Sequence, residues 1–552
     1  MKISAKAPVG AFFRVPRSMS PEAMHATPTR THPMRHPRLR RRSLLRWVAA
    51  LGITSALAAG VVAIPNAALA SPGDSPTVTA MARLWIADWA SDGPEWTAFV
   101  RQLAEAKKIG ITGISVDVWW GKVALSPTSY TWAYYDKEFK AISDAGLAIV
   151  PIMSTHECGG GPGDDGDCKT KIGVPGFVWE PVNYGEVVGV LPADTFYQSE
   201  YGNVSHAAIA PWGMASARAF SYIKGFMNAF EDHYTSGSTD YRGKISEIAI
   251  SAGPTGELRE PSYDYQDATV PGAPGVFPNR GVLQTYSPAA RAWFQQWVLT
   301  KYGSVAGAAS AWGIPGLTLD TITPPNDHDR FFTSGSYLNI QYGKDFTQWN
   351  NESLVDHGRR MLDTAIEAFD EGFSTVALSE KIPGVHWQSM TSSPIKRAAE
   401  IAAGLVSSNV DVASPATGHG YNAIITMIHD VDVNGDGVLP RTHHVLLHFT
   451  ELEKPNKLWD GGKLAYSAAA DQVGWVADAA SADGVELKGE NALNGGLHSD
   501  GDADNDGWSH IRSAFDRDPV RRFYGLTLLR LPDIANGGFS ESLAADFIRD
   551  YK

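Results

Sequence analysis

From residue 77 to the C-terminus, short β-branched or aliphatic runs alternate with longer stretches in which apolar residues recur every three or four positions. The short runs read as strands and the longer ones as amphipathic helices. Eight strands are expected, at 83–87, 113–118, 148–153, 245–251, 375–379, 445–449, 485–488 and 526–531, with helical periodicity at 95–108, 216–233 and 354–369 among the intervals. Strand–helix alternation implies a parallel sheet. Eight such units predict an α/β fold, a closed (β/α)8 TIM barrel with long loop insertions after strands 3 and 4. A doubly wound open sheet is the competing architecture, but no Gly-rich phosphate turn follows the first strand. Asp117, His156, Glu257, Lys381, Thr450, Glu490 and Arg530 stand at or just after strand ends, the side on which barrel enzymes assemble their chemistry.

Residues 1–70 follow another pattern. RRRSLLRW at 40–47 leads into an apolar run from Val48 to Ile64, with Ala68-Leu69-Ala70 before Ser71. This reads as a cleaved export signal with a twin-arginine-like start, so the protein is expected to be secreted, extracellular or periplasmic. A single N-terminal membrane anchor is the alternative. Residues 71–552 then form the catalytic domain. Export makes a disulfide between Cys158 and Cys168 the expected state of the two cysteines. Their ten-residue spacing suits no structural zinc site.

The 552 residues carry 47 Lys and Arg against 60 Asp and Glu. Beyond residue 70 the tally is 36 basic against 59 acidic, a balance of −23. Such a field repels phosphate backbones and anionic lipid, which argues against nucleic acid and membrane as partners. A neutral polar substrate fits better, and 17 Trp with 19 Tyr supply flat surfaces for sugars or fill the core.

Three segments carry chemistry. In GISVDVWWGKV, Asp117 interrupts a buried strand and precedes two tryptophans; it is either a sugar-hydroxyl ligand or a paired structural carboxylate. STHECGGGPGDDGDC places His156 at the root and Asp164 and Asp165 at the tip of a glycine-rich loop that reads as a lid. ISAGPTGELREPSY presents Glu257 after a run of small residues, with Arg259 beside it, and Glu490 in ELKGENAL occupies the equivalent place after strand 7. Two strand-end carboxylates over a polar mouth point to glycoside hydrolysis.

With KIPGVHW at 381–387, FTELE at 449–453 and LLRL at 528–531, these motifs make the chain resemble the β-amylases, which release maltose from non-reducing ends of α-1,4-glucans with inversion. The resemblance runs over residues 80–550. It implies Glu257 as general acid and Glu490 as general base. It further implies substrate contacts at Asp117, His156, Asp164, Lys381, His386, Asn491, Ala492 and Arg530, with Thr450 on an inner loop that steadies the ionised acid. No cofactor is required, the substrate is an α-glucan, and the enzyme is expected to be a monomer. The alternatives are a catalytically silent glucan-binding protein on the same barrel and a retaining barrel glycosidase.

The chain departs from that family pattern in four places. Gly161-Pro162 replaces the usual Asn-Val of the lid, Glu260 replaces a Tyr, and Glu451 replaces a Cys. Lys122-Val123-Ala124 stands where some relatives bind calcium. Only 22 residues follow Arg530, so no appended starch-binding domain is expected. A different structural calcium is expected at Asp432, Asn434 and Asp436, spaced as in an EF-hand loop, although His443 takes the twelfth position. An acidic turn is the other reading, as it is for Asp502, Asp504 and Asp506.

Overall fold

Eight parallel strands close on themselves in a computed structural model that describes residues 75–159, 168, 171–180, 196–432, 443–492, 497, 506–517 and 523–552. They are β1 (Thr77–Met81), β2 (Gly113–Trp119), β3 (Ala148–Ser154), β4 (Glu247–Ile250), β5 (Ala377–Ile382), β6 (Val445–Phe449), β7 (Leu487–Glu490) and β8 (Gly525–Leu528). Each pairs with its neighbours in sequence, and β1 closes the ring against β8 with Val78 opposite Leu526. The helices α1 (Pro94–Ile109), α2 (Ala133–Asp144), α3 (Met214–Tyr234), α4 (Gln341–Ala368), α5 (Asn422–Asp432), α6 (Ala469–Asp483), α7 (Gly507–Phe515) and α8 (Phe539–Tyr551) follow the strands in turn. The described residues all belong to one compact unit, Ile64–Lys552. The export signal proposed for residues 1–70 lies outside the described residues.

Period-two alternation decides what fills the barrel. Ile248 and Ile250 of β4, Leu447 of β6 and Leu526 of β8 are buried members of the large hydrophobic core. Several alternate positions are polar. Glu247 of β4 accepts from Lys488 of β7 at 2.6 Å and meets His448 Nε2 of β6 at 2.8 Å, while Thr79 and Thr527 hydroxyls join at 2.9 Å. Burial alone would raise the Glu247 carboxyl, but Lys488 and His448 outweigh it and hold it well below the usual carboxylate range. A charged, internally paired layer thus plugs the barrel below its mouth.

The insertions fall after β3, at 155–213, and after β4, at 251–340, as expected. The first strand does not fall at 83–87. Residues 77–81 form it, and the apolar run beyond is a loop in which Trp85 stacks on Tyr134 at 4.1 Å and Leu84 O accepts from Trp119 Nε1 at 2.7 Å. Trp85 finds burial against the start of α2 and Leu84 against Trp119, so neither needs a sheet position. Strands 5 and 7 run further than expected, which carries Lys381 and Glu490 on the strands themselves.

Candidate active site

A cavity of about 1050 Å³ opens at the C-terminal ends of the strands. Asp117, His156, Glu257, Lys381, Thr450, Glu490, Ala492 and Arg530 all line it. Lys381 of β5 and Glu490 of β7 reach each other across the mouth, with Nζ donating to Oε2 at 2.6 Å. Burial opposes the Lys381 charge, yet Glu490, with Glu257 and Asp117 beyond it, pulls the ammonium's pKa up.

Glu257 follows the turn Gly253–Gly256. A Cβ on Gly253 would stand 2.4 Å from the carbonyl of Glu257 and 2.7 Å from that of Arg259, so only glycine admits this path. Thr255 adopts φ 57°, a left-handed conformation costly for a β-branched residue and typical of a position fixed for function. Its hydroxyl lies 3.0 Å from Glu257 Oε2 and 2.6 Å from Pro254 O. The hydroxyl thus has two acceptors, Glu257 Oε2 and Pro254 O, and its donation to Oε2 favours the ionised carboxyl. Arg259 Nε meets the same Oε2 at 3.1 Å, while its Nη1 donates to Asp264 at 2.9 Å and its guanidinium covers Tyr263 at 4.1 Å. Burial raises the Glu257 carboxyl and Glu490 adds to the rise; Arg259, Lys381 and Thr255 oppose it without cancelling it.

Asp117 accepts from Ser154 Oγ at 2.6 Å, and burial leaves its carboxyl raised despite that bond and the cations Arg530 and Lys381. His156 Nδ1 pairs with Ser251 Oγ at 2.7 Å, and its ring meets Trp119 edge-on at 5.0 Å. Burial, helped by Lys381 and Arg259, lowers its pKa to about 3, so the imidazole is neutral. Thr450 Oγ1 accepts from Gly384 N at 2.9 Å, and Ala492 N donates to Glu453 at 2.8 Å. Arg530 stands at φ 85° just past β8.

Two expected contact residues are not among those that line the cavity. Asn491 is fully buried, and its Oδ1 accepts from Leu529 N at 2.7 Å. His386 lies 3.2 Å from Glu451, and burial, with Lys454 nearby, lowers its pKa to about 4. Asp164 lies outside the described residues. Cys158 and Cys168 are joined, with Cα atoms 6.0 Å apart, and both border the cavity. Asp432 Oδ1 accepts from His444 Nδ1 at 2.8 Å and Val445 N at 2.7 Å; Asn434 and Asp436 lie outside the described residues. His443, in the twelfth position, has both ring nitrogens against the carbonyls of Val376 and Phe369. Among the described residues no group of three or more His, Cys, Asp or Glu is placed to hold a metal.

Sequence reasoning missed the roles of Arg259, Tyr263, Asp264, Phe277 and Trp387, all on the cavity wall. The ELREPSY run held a signal, since an Arg among acids directly after a buried Glu must be satisfied by them.

The closed parallel barrel with its polar cavity at the strand ends defines the class as a (β/α)8 barrel enzyme. The family model described as "Glycosyl hydrolase family 14" matches residues 86–551, and the chain belongs to that family. It is 31% identical over 459 residues to a β-amylase of Niallia circulans, covering 83% of this chain and 68% of that one. A thermophilic β-amylase of Thermoanaerobacterium thermosulfurigenes is 32% identical over 457 residues, covering 82% and 71%. The crystal structure of the catalytic domain of a Paenibacillus polymyxa β-amylase superposes with a TM-score of 0.68 at 29% identity, over 86% of this chain and 98% of that one.

Proposed function

We propose that the protein is a β-amylase, an inverting exo-hydrolase that releases β-maltose from the non-reducing ends of α-1,4-glucans. The observation that carries this reading is the pair of glutamates on one cavity, Glu257 raised by burial and Glu490 beside an ammonium. Glu257 in its protonated form gives its proton to the glycosidic oxygen as the C1–O bond breaks. A water attacks C1 from the opposite face and yields its proton to Glu490. Each carboxyl then exchanges its proton with solvent to restore the starting state. Asp117, neutral His156, Lys381 and Arg530 offer hydrogen bonds to sugar hydroxyls; Asp164, expected as a further contact, lies outside the described residues. Thr450 and Ala492 shape the wall, with Asn491 next to Ala492 in the chain and His386 next to Trp387.

Proton NMR of fresh product from maltopentaose tests the reading. β-Maltose as the first product is expected; α-maltose would assign a retaining mechanism, and bound but uncleaved glucan a silent binding protein. Glu257→Gln and Glu490→Gln should each lower kcat by about 10²–10⁴-fold, the usual worth of a positioned acid or base.

Export as a cleaved precursor is supported by the pattern at 40–70 and by the Cys158–Cys168 bond. Among the described residues no helix is long and apolar enough to cross a membrane. Calcium at Asp432, Asn434 and Asp436 takes no part in these steps. A melting temperature unchanged by added calcium would remove that site from the proposal.

A further inference from the structure

The loop after β6 that brings Thr450 to the cavity continues into an antiparallel hairpin, Asn456–Asp460 with Lys463–Ala468. It turns at Gly461 and Gly462, whose φ angles of 54° and 76° are those a two-residue hairpin turn demands. The second strand is fastened to the cavity wall. The carbonyls of Ala465 and Tyr466 accept from the N–H groups of Gln388, Ser389 and Met390, directly after Trp387. Lys463 Nζ donates to Phe277 O at 3.2 Å. Phe277 and Trp387 meet edge to face at 5.6 Å, and both line the cavity.

Trp459 stands opposite Leu464 in the hairpin register, 58% and 40% exposed. A cross-strand apolar pair left in water on a short exposed hairpin is the reverse of the charged edge that solubility favours. An open indole beside an aliphatic side chain suits the C–H face of a glucose unit, and the acidic balance of the chain disfavours anionic ligands. The hairpin is also hydrogen-bonded to the segments that carry Trp387 and Phe277 of the cavity wall, which places it beside the substrate site.

We infer that the Trp459–Leu464 face of the hairpin is a second contact surface for α-glucan, engaging the part of a long chain that extends beyond the cavity. The inference rests on the glucan hydrolase reading above. A short maltooligosaccharide held in the cavity would not reach it, whereas amylose would.

The test compares kcat/KM on amylose and on maltopentaose for the full-length enzyme and its Trp459→Ala variant. The amylose value should fall about 3- to 10-fold, as loss of one stacking ring predicts, with the maltopentaose value held. Trp459→Phe should keep most of the amylose value. Trp293→Ala, which removes an indole 49% exposed on a helix of the insertion after β4, should change neither. Equal rates for Trp459→Ala and parent on amylose, or equal losses on both substrates, would overturn the inference. So would a dimer in sedimentation that Trp459→Ala dissociates, because the face would then serve a second copy of the chain. Retardation of Glu257→Gln in amylose-containing gels reads the same surface without turnover: adding Trp459→Ala should weaken it. If the parent releases no maltose from either substrate, the hydrolase reading fails, and the gel decides the hairpin separately.

Discussion

Lys381 Nζ and Glu490 Oε2 lie 2.6 Å apart, the one direct ion pair between two strand-borne residues of the cavity wall among the described residues. The ammonium cannot leave without uncovering a carboxylate in a buried setting, and it also faces Glu257 and Asp117. Lys381→Met should therefore cost about 10²-fold or more in kcat, as loss of a preorganised charge does. A loss confined to KM would reduce Lys381 to a substrate ligand.

Glu257 gives a pH prediction of definite sign. Its carboxyl is raised in the folded chain, so the native state holds the proton more tightly than the unfolded one, and stability falls as pH rises through the folded value. Glu257→Gln should melt higher than the parent at pH 7 and show little difference at pH 4. A lower melting temperature at pH 7 would mean that the carboxylate is the favoured native form.

His444 shares that pH sense, but here the native state favours the charged form. Burial alone would lower it, but Asp432 and Glu486 raise its pKa to about 9. A raised histidine contributes fully below its unfolded value near 6.5 and loses that contribution as pH climbs through about 9. His444→Gln should cost about 1–2 kcal/mol at pH 6 and progressively less toward pH 10, read from urea midpoints.

The charged layer inside the barrel separates pairing from burial. Lys488→Met leaves Glu247 with only His448, and breaking such a pair typically costs about 3–5 kcal/mol. Adding Glu247→Gln should recover a large part of that loss. Equal destabilisation of single and double variants would show that Lys488 acts by packing alone.

The Cys158–Cys168 bond closes a loop of ten residues in sequence at the cavity edge. Chain entropy assigns such a closure about 2–3 kcal/mol. The Cys158→Ser variant should melt lower and show a several-fold higher KM on maltodextrin. An unchanged KM would detach the loop from substrate binding.

The chemistry was more legible than the geometry. Glu257 and Glu490 announced themselves because a charged residue at the end of an apolar run has few structural uses, and both line the cavity. The first strand was misplaced because hydrophobicity marks burial, and residues 83–86 are buried or half-buried without strand pairing. Asn491 and His386 are expected contacts that do not line the cavity, and sequence spacing carries no sign of the partners, Leu529 N and Glu451, that meet their side chains. The Glu247, His448 and Lys488 layer was invisible for the same reason, since its three members come from strands distant in sequence.

That layer also governs traffic. With Glu247 and Lys488 stopping the bore, nothing can pass through to the far end, so sugar enters and leaves by a single doorway. After each cut the freed disaccharide and the shortened chain must clear the same opening before another end can dock. Accumulated maltose therefore occupies the very opening that the next chain end must use.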